Sequence, residues 1–165
     1  MVIFGVDPGV NGAISILKNK TIVDVYDMPT MIDGKKNKKQ LNGPYLAKII
    51  KGYIQDKKLI NEEFVVIVEQ VSAMPGQGVT SMFNFGQSYG VIKGICSALL
   101  LPIYFVRPTK WKKHFNLINT NKDASRTKAI EIYPDISSQL SRKKDLNKAD
   151  SILIARYFFE TYHQQ

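Results

Sequence analysis

Cysteine and histidine are scarce in this sequence of 165 residues, which has one Cys, at position 96, and two His. A single thiol cannot form an intrachain disulfide, and so few thiols and imidazoles argue against a structural zinc site. No apolar run approaches the roughly 18 residues of a membrane span, and Met1 leads directly into a strand pattern. We therefore expect no membrane span, no cleaved secretory signal and a reducing compartment such as the cytoplasm.

Acidic residues are the other scarce class, since 14 Asp and Glu stand against 23 Lys and Arg, a formal charge of +9. A basic excess indicates a polyanionic partner, although solvated lysines are also common on ordinary surfaces. Apolar residues make up 44% of the chain, which suits one globular domain spanning residues 1–165. Charge alone therefore does not decide between a nucleic-acid partner and an ordinary solvated surface.

The first acidic residue follows an apolar run at the start of the chain. Residues 2–6 are branched or aromatic apart from Gly5, as in a buried strand, and the run ends at Asp7. A Pro-Gly pair breaks the pattern, and Gly12 permits a tight reversal into a second apolar run. Asp7 either caps this turn or lies at the end of a core strand as a functional carboxylate.

The second acidic residue has the same setting. The uninterrupted run Phe-Val-Val-Ile-Val at 64–68 is typical of a strand buried on both faces, and it ends at Glu69. Adjacent strands of one sheet would bring Asp7 and Glu69 together. One acid at a strand end usually has no function, but two acids on two core strands indicate a shared site.

Two further acids lie around the start of the last predicted helix, at residues 151–162. Asn147 has the position of an N-cap, which would make Asp150 the third helical residue. A carboxylate there stabilises the helix start, and this role alone explains Asp150. Asp145 lies five residues ahead, in a polar and basic stretch.

Periodicity in the rest of the chain predicts an α/β protein. Further strands are predicted at 21–26 and 101–106, and helices at 45–59, 86–101 and 123–132. Residues 28–43 are predicted to be a polar loop whose four lysines are either solvated or in contact with phosphates. Gly86, Gly90 and Gly94 share one helix face, which favours close intrachain packing over a subunit interface.

A basic segment at residues 107–128 contains seven Lys or Arg and a single acid, with aromatic residues between them. Cations bind phosphates and rings stack on bases or sugars, so the segment predicts a DNA-binding face. Trp111 is either a DNA contact or a core residue. The residues that we expect to bind DNA are Met74, Arg107, Lys110, Lys112, Lys113, Lys122, Arg126, Lys144 and Lys148.

Carboxylates gathered at one point repel each other, so such a cluster needs cations. Oxygen ligands favour Mg²⁺, with Mn²⁺ able to substitute. Two such ions, about 4 Å apart, can hold a scissile phosphate and generate a hydroxide. Acids and lysines in one small domain therefore predict a metal-dependent nuclease. The acids assigned to its site are Asp7, Glu69, Asp145 and Asp150.

Four motifs, in order, resemble the RuvC-type Holliday junction resolvases, with phage-borne or virus-borne members the most similar. They are GVDPG at 5–9, VEQ at 68–70, GQSYG at 86–90 and KADSILIA at 148–155. The resemblance runs essentially end to end. It implies an RNase H-like fold with a mixed five-stranded central sheet flanked by helices. It also implies a homodimer that resolves four-way DNA junctions by paired, symmetric nicks, in the cytoplasm of a bacterium or a phage-infected cell.

The resemblance also implies roles for particular residues. Carried over by position, Asp7, Glu69 and Asp150 are metal-binding carboxylates. The bacterial pattern has a fourth acid where this chain has Asn147, and we assign that role to Asp145 because an acid just before the helix could bend back. Many members have an aromatic wedge in the loop after Glu69, where this chain has Ser, Ala and Met at 72–74.

Other functions stay open from the sequence. An RNase H-like nuclease could instead cut flaps, replication forks or an RNA precursor. An ATP-binding fold of the sugar-kinase and actin type also has Asp followed by Gly, but it needs two such domains. A non-catalytic junction-binding protein gains nothing from acids that face phosphates.

Overall fold

The computed structural model describes residues 1–34, 38–70, 72, 76 and 78–162. The strands are β1 (Val2–Asp7), β2 (Ala13–Lys18), β3 (Thr21–Asp27), β4 (Thr30–Asp33), β5 (Lys38–Leu41), β6 (Phe64–Glu69) and β7 (Ile103–Val106). The α-helices are α1 (Gly43–Ile54), α2 (Val79–Ala98), α3 (Pro108–His114), α4 (Ala124–Ile132) and α5 (Leu146–Tyr162). Shorter 3₁₀ turns span Lys57–Leu59, Pro134–Leu140 and Lys143–Asp145.

The central sheet has five strands in the order β3-β2-β1-β6-β7. Strand β1 is antiparallel to β2 and parallel to β6, and β6 is parallel to β7. The register pairs Val6 with Val68, so Asp7 and Glu69 are the next residues at the same edge of the sheet. This mixed five-stranded sheet, flanked by helices, confirms the predicted fold class.

Alternate residues of the core strands face opposite helical layers, as the two-residue period of a strand requires. Ile3 and Ile67 belong to the core formed with α3, α4 and α5. Phe4 belongs to the second core, which is formed with α1 and α2. Asp7 and Glu69 have the same parity as Ile3 and Ile67, so both acids point toward the layer that contains α5.

Helix α5 lies directly on β1 because residue 5 has no side chain. A Cβ on Gly5 would collide with the main-chain oxygen of Ser151 and stand 2.7 Å from the Cβ of Ala155. The buried hydroxyl of Ser15 donates a hydrogen bond of 2.8 Å to the same Ser151 oxygen. These contacts fix the first turns of α5, and hence Asp150, against the sheet.

The start of α5 differs from the prediction. The 3₁₀ turn Lys143–Asp145 runs into the helix, which begins at Leu146, so Asn147 lies inside the first turn and is not the N-cap. The side-chain amide of Asn147 instead donates to the main-chain oxygen of Asn11, in the turn after β1. The expected cap interaction between Asn147 and Asp150 is therefore wrong.

Two other segments are more ordered than predicted. Helix α2 begins at Val79, directly after Gly78 and seven residues before the predicted start. Residues 28–43 contain a hairpin in which β4 pairs with β5, rather than only a loop.

The glycine face of α2 is exposed. A Cβ at Gly86, Gly90 or Gly94 would have no atom of the described residues within 4 Å. The expected close packing against the rest of the chain is therefore wrong for the part that the structure describes. Within the same ranges, no helix is both long enough and apolar enough to cross a membrane.

Candidate active site

Three of the predicted site acids meet where β1, β6 and α5 come together. Burial raises the pKa of Asp7 well above its ordinary value of 3.8, and the charges of Glu69 and Asp150 raise it further. The strand register places Asp7 and Glu69 side by side, and Asp150 is close enough for its charge to act on Asp7. A carboxylate cluster of this kind favours protons or cations as partners.

Glu69 is held by a neighbour from the basic segment. Burial raises its pKa above the ordinary value of 4.5, while the indole of Trp111 and the ammonium of Lys112 oppose the rise. The Nε1–H of Trp111 donates to Oε1 of Glu69 at 2.8 Å. Trp111 has no exposed surface, so the structure confirms the alternative that it is a core residue.

Asp150 is the third carboxyl group. Burial, with a smaller contribution from the charge of Glu69, raises its pKa from 3.8 to about 6, while Ser125 and Lys112 oppose the rise. Its Oδ1 is buried and accepts no hydrogen bond from the residues that the structure describes. A buried oxygen without a donor is costly to the fold and available to a ligand.

Lys112 supplies positive charge to this site. Its charge lowers the pKa of Asp7, Glu69 and Asp150 alike. The ammonium nitrogen lies 5.3 Å from the centre of the Trp111 ring, a distance typical of a cation–π contact. Lys112, predicted as a DNA contact, therefore lies beside the carboxylates.

The donor chemistry of this cluster fits a hard divalent cation. Three carboxyl groups supply only oxygen, burial raises the pKa of each, and Oδ1 of Asp150 has no donor among the described residues. As the side chains stand, no group of three or more His, Cys, Asp or Glu among the described residues is arranged to hold a metal ion. Mg²⁺ commonly binds through one or two carboxylates and keeps several waters.

Asp145 lies next to the cations Arg142 and Lys148 rather than next to the other site acids. It is 1% exposed, accepts hydrogen bonds from the main chain and guanidinium of Arg142, and lies 3.8 Å from Nζ of Lys148. These bonds to Arg142 hold the pKa of Asp145 below its ordinary value. Asp145 is not among the groups that perturb Asp7, Glu69 or Asp150, and its metal role stays a prediction.

The predicted DNA-binding residues fall into two groups, apart from Lys112. Two have partners within the chain: Arg126 pairs with Asp123 at 2.6 Å and donates to two main-chain oxygens, and Lys148 lies 3.5 Å from Asp27. Met74 lies outside the described residues. The exposed members are Arg107, Lys110, Lys113, Lys122 and Lys144.

A groove beside the turn after β1 was missed from the sequence. It has a volume of about 380 Å³ and lies between the β4–β5 hairpin and α2. Its lining includes Val10, Lys38, Lys39, Asn84 and Gln87. The run of lysines was the available signal, but a polar loop prediction could not place it beside a helix.

No protein-family model matches the sequence, and no curated protein matches it. Solved structures that are similar to nearly the whole chain include two of RuvC and one of a viral resolvase. Thermus thermophilus RuvC in complex with a Holliday junction substrate has a TM-score of 0.67 at 15% identity, covering 99% of this chain and 96% of that one. A second Thermus thermophilus RuvC structure has a TM-score of 0.53 at 17% identity, with the same coverage.

The third similar structure is the fowlpox virus Holliday junction resolvase, with a TM-score of 0.57 at 17% identity, covering 98% of this chain and 99% of that one. The chain therefore has the RNase H-like fold of RuvC. The predicted resemblance to RuvC-type resolvases is confirmed at the level of the fold.

Proposed function

We propose that this chain is a metal-dependent endonuclease that resolves four-way DNA junctions by paired, symmetric nicks. The observation that carries the proposal is the meeting of Asp7, Glu69 and Asp150 at one edge of the sheet. It is supported by the fold, which is similar to that of a RuvC bound to a Holliday junction substrate.

The three carboxylates would hold Mg²⁺, or Mn²⁺ in its place, and the buried Oδ1 of Asp150 is the most available donor atom. Two such ions, when bound, would supply an activated water and stabilise the charge that develops on the scissile phosphate. Glu69 is oriented by Trp111. The ammonium of Lys112 offsets part of the negative charge and would attract the phosphodiester to the site.

The surface charge supports a DNA substrate. The net charge is +9, and Arg107, Lys110 and Lys113 are exposed around helix α3, which also carries Trp111 and Lys112. Phosphate contacts by such side chains position the duplex without selecting a sequence. The groove lined by Lys38 and Lys39 offers a second basic surface, beside the turn after Asp7.

A homodimer follows from the proposed reaction, because symmetric nicks in two strands need two sites and one chain supplies one cluster. The exposed face of α2 supports this assembly. Its three glycines permit close approach of another backbone, and Val79 and Phe83 near its start are 79% and 66% exposed. The fourth acid is kept as a separate question, because Asp145 already pairs with Arg142 and Lys148.

The proposal is tested by comparing labelled four-way junctions, flaps and linear duplex as substrates with Mg²⁺, and by mapping every nick. We expect paired nicks at symmetric positions in the junction and little cutting of linear duplex. Equal cutting of flaps would identify a broader branched-DNA nuclease. Junction binding without cleavage, at any Mg²⁺ or Mn²⁺ concentration, would identify a binding protein.

A further inference from the structure

Trp111 is the single tryptophan of the chain and is completely buried between the sheet and the helices. Its indole N–H, the one polar atom of the side chain, points to a carboxylate rather than to a main-chain oxygen. The bond joins Nε1 of Trp111, in α3, to Oε1 of Glu69, at the end of β6, at 2.8 Å. A side chain of α3 therefore restrains an acid of the candidate active site.

We propose that Trp111 is a positioning residue that sets the orientation of Glu69 and Lys112 for metal binding, an inference that rests on the proposed nuclease function. The bond to Oε1 engages one oxygen of Glu69 and restrains rotation of the carboxylate. Oε2 of Glu69 takes no part in this bond, so it stays available to a metal ion. A hydrogen bond that orients a metal ligand in this way typically changes metal affinity by about 10- to 100-fold.

The same indole also contacts Lys112, which supplies positive charge to the site. The Lys112 ammonium lies 5.3 Å from the centre of the Trp111 ring, and its charge acts on Asp7, Glu69 and Asp150. The rigid ring of Trp111 therefore contacts both the carboxylate of Glu69 and the ammonium of Lys112. Phenylalanine keeps an aromatic ring face for Lys112, but it is smaller than tryptophan and has no N–H to donate.

A purely structural role makes a different prediction. A buried indole N–H needs a partner in any protein, and Glu69 could serve only to satisfy it. In that case, removing the N–H would lower stability and leave the metal affinity of the folded protein unchanged. Metal affinity therefore separates positioning from packing.

The first experiment compares wild type with Trp111→Phe, using calorimetric Mg²⁺ titration and Mn²⁺ binding followed by electron paramagnetic resonance, both without DNA. We expect metal binding to weaken by about 10- to 100-fold. The matched control is Tyr133→Phe. It removes one polar atom from another buried aromatic ring, whose hydroxyl contacts Arg156 at 3.4 Å, away from the three acids.

The second experiment uses the unaltered tryptophan and so does not depend on how the variant folds. Because Trp111 is the only tryptophan, excitation at the red edge of its absorption reports on this site alone. We expect Mg²⁺ to change its emission in wild type, and we expect no change in Asp7→Asn, which keeps the Trp111–Glu69 bond. Saturating Mg²⁺ that leaves the wild-type emission unaltered would overturn the inference.

The outcomes distinguish the inference from the proposed function. If wild type neither binds Mg²⁺ nor cleaves junctions, the nuclease proposal fails, and the positioning role fails with it. If wild type binds Mg²⁺ and cleaves, and folded Trp111→Phe binds Mg²⁺ equally tightly, only the positioning role is overturned.

Discussion

Gly5 in β1 lies so close to Ala155 in α5 that a Cβ at position 5 would stand 2.7 Å from the Cβ of Ala155. The resemblance to RuvC-type resolvases included this glycine as part of a motif. The structure gives its physical reason, since the contact allows α5 to lie on the sheet and places Asp150 beside the ends of β1 and β6. Residue 5 therefore contributes to the site without carrying any functional group.

Gly5→Ala should lower both stability and metal binding. The added methyl meets main chain and a buried Cβ, which cannot move freely, so we expect a loss of about 1–3 kcal/mol in the free energy of unfolding. Denaturant unfolding measures this loss. The control is Gly52→Ala in α1, where a Cβ has no described atom within 4 Å and alanine should stabilise the helix by about 0.5–1 kcal/mol. Equal effects of the two changes would contradict the account.

The contribution of Asp150 to the free energy of unfolding, without metal, should fall as the pH rises from about 4 to about 6. Its pKa is 3.8 ordinarily and about 6 in the folded protein, so the folded state binds more protons than the unfolded state in this window. The stabilisation is complete below the lower value and is lost as the pH passes the higher one. The full effect is on the order of 3 kcal/mol.

This dependence is measured by unfolding in the presence of a chelator, as the difference between wild type and Asp150→Asn. Asp123 and Glu160 have lowered pKa values, so their contributions to stability change with pH in the opposite direction. These contributions are the same in both proteins and cancel in the difference. We expect the variant to gain stability relative to wild type as the pH rises through about 6. A constant difference across the window would contradict the burial of an uncompensated carboxyl group.

Asp145→Asn tests the fourth acid. Because Asp145 is buried and accepts hydrogen bonds from Arg142, we expect a loss of about 1–3 kcal/mol in stability, with Mg²⁺ affinity close to wild type. The control Asp123→Asn removes a more exposed partner of Arg126 and should cost less. A folded Asp145→Asn protein that no longer binds Mg²⁺ would instead establish Asp145 as a metal ligand. Asn147→Ala, measured in parallel, tests the alternative position.

Replacing Lys38 and Lys39 together with alanine should weaken junction binding. If both contact phosphates, the logarithmic dependence of affinity on salt should become shallower by about 2, because each phosphate contact contributes about 0.9. A matched control replaces Lys57 and Lys58, an adjacent pair that does not line the groove. An unchanged salt dependence in the groove variant, or the same change in both variants, would exclude the groove from DNA binding.

The sequence was sufficient to predict that Asp7 and Glu69 lie together at one edge of the sheet. Asp7 and Glu69 each end an apolar run, broken in the first case only by Gly5, and parallel pairing of two such strands places their ends together. The contact of Trp111 with Glu69 joins residues 42 positions apart, and no local pattern contains that information. Alternation of basic and aromatic residues placed Trp111 in a DNA-binding segment but could not distinguish an exposed ring from a buried one.

The start of α5 shows a similar limit. Asn147 has the side chain of a good cap, yet a preceding 3₁₀ turn moves the helix start upstream, and the amide bonds to Asn11 instead. Asp145 has the charge of a metal ligand, but Arg142 and Lys148 are close enough to neutralise it. The bond of Asn147 to Asn11 is a tertiary contact that no local pattern contains. Arg142 and Lys148 lie only three residues from Asp145 in the sequence, and the metal role of Asp145 stays a prediction.

The most direct measurement of the central claim is the Mg²⁺-dependent nicking of a labelled four-way junction by wild type, Asp7→Asn, Glu69→Gln and Asp150→Asn. The account predicts that each of the three variants binds the metal-free junction as wild type does and that none of them cuts it. Cleavage at the wild-type rate by any one of them would contradict the claim that these three carboxylates form one metal-dependent site.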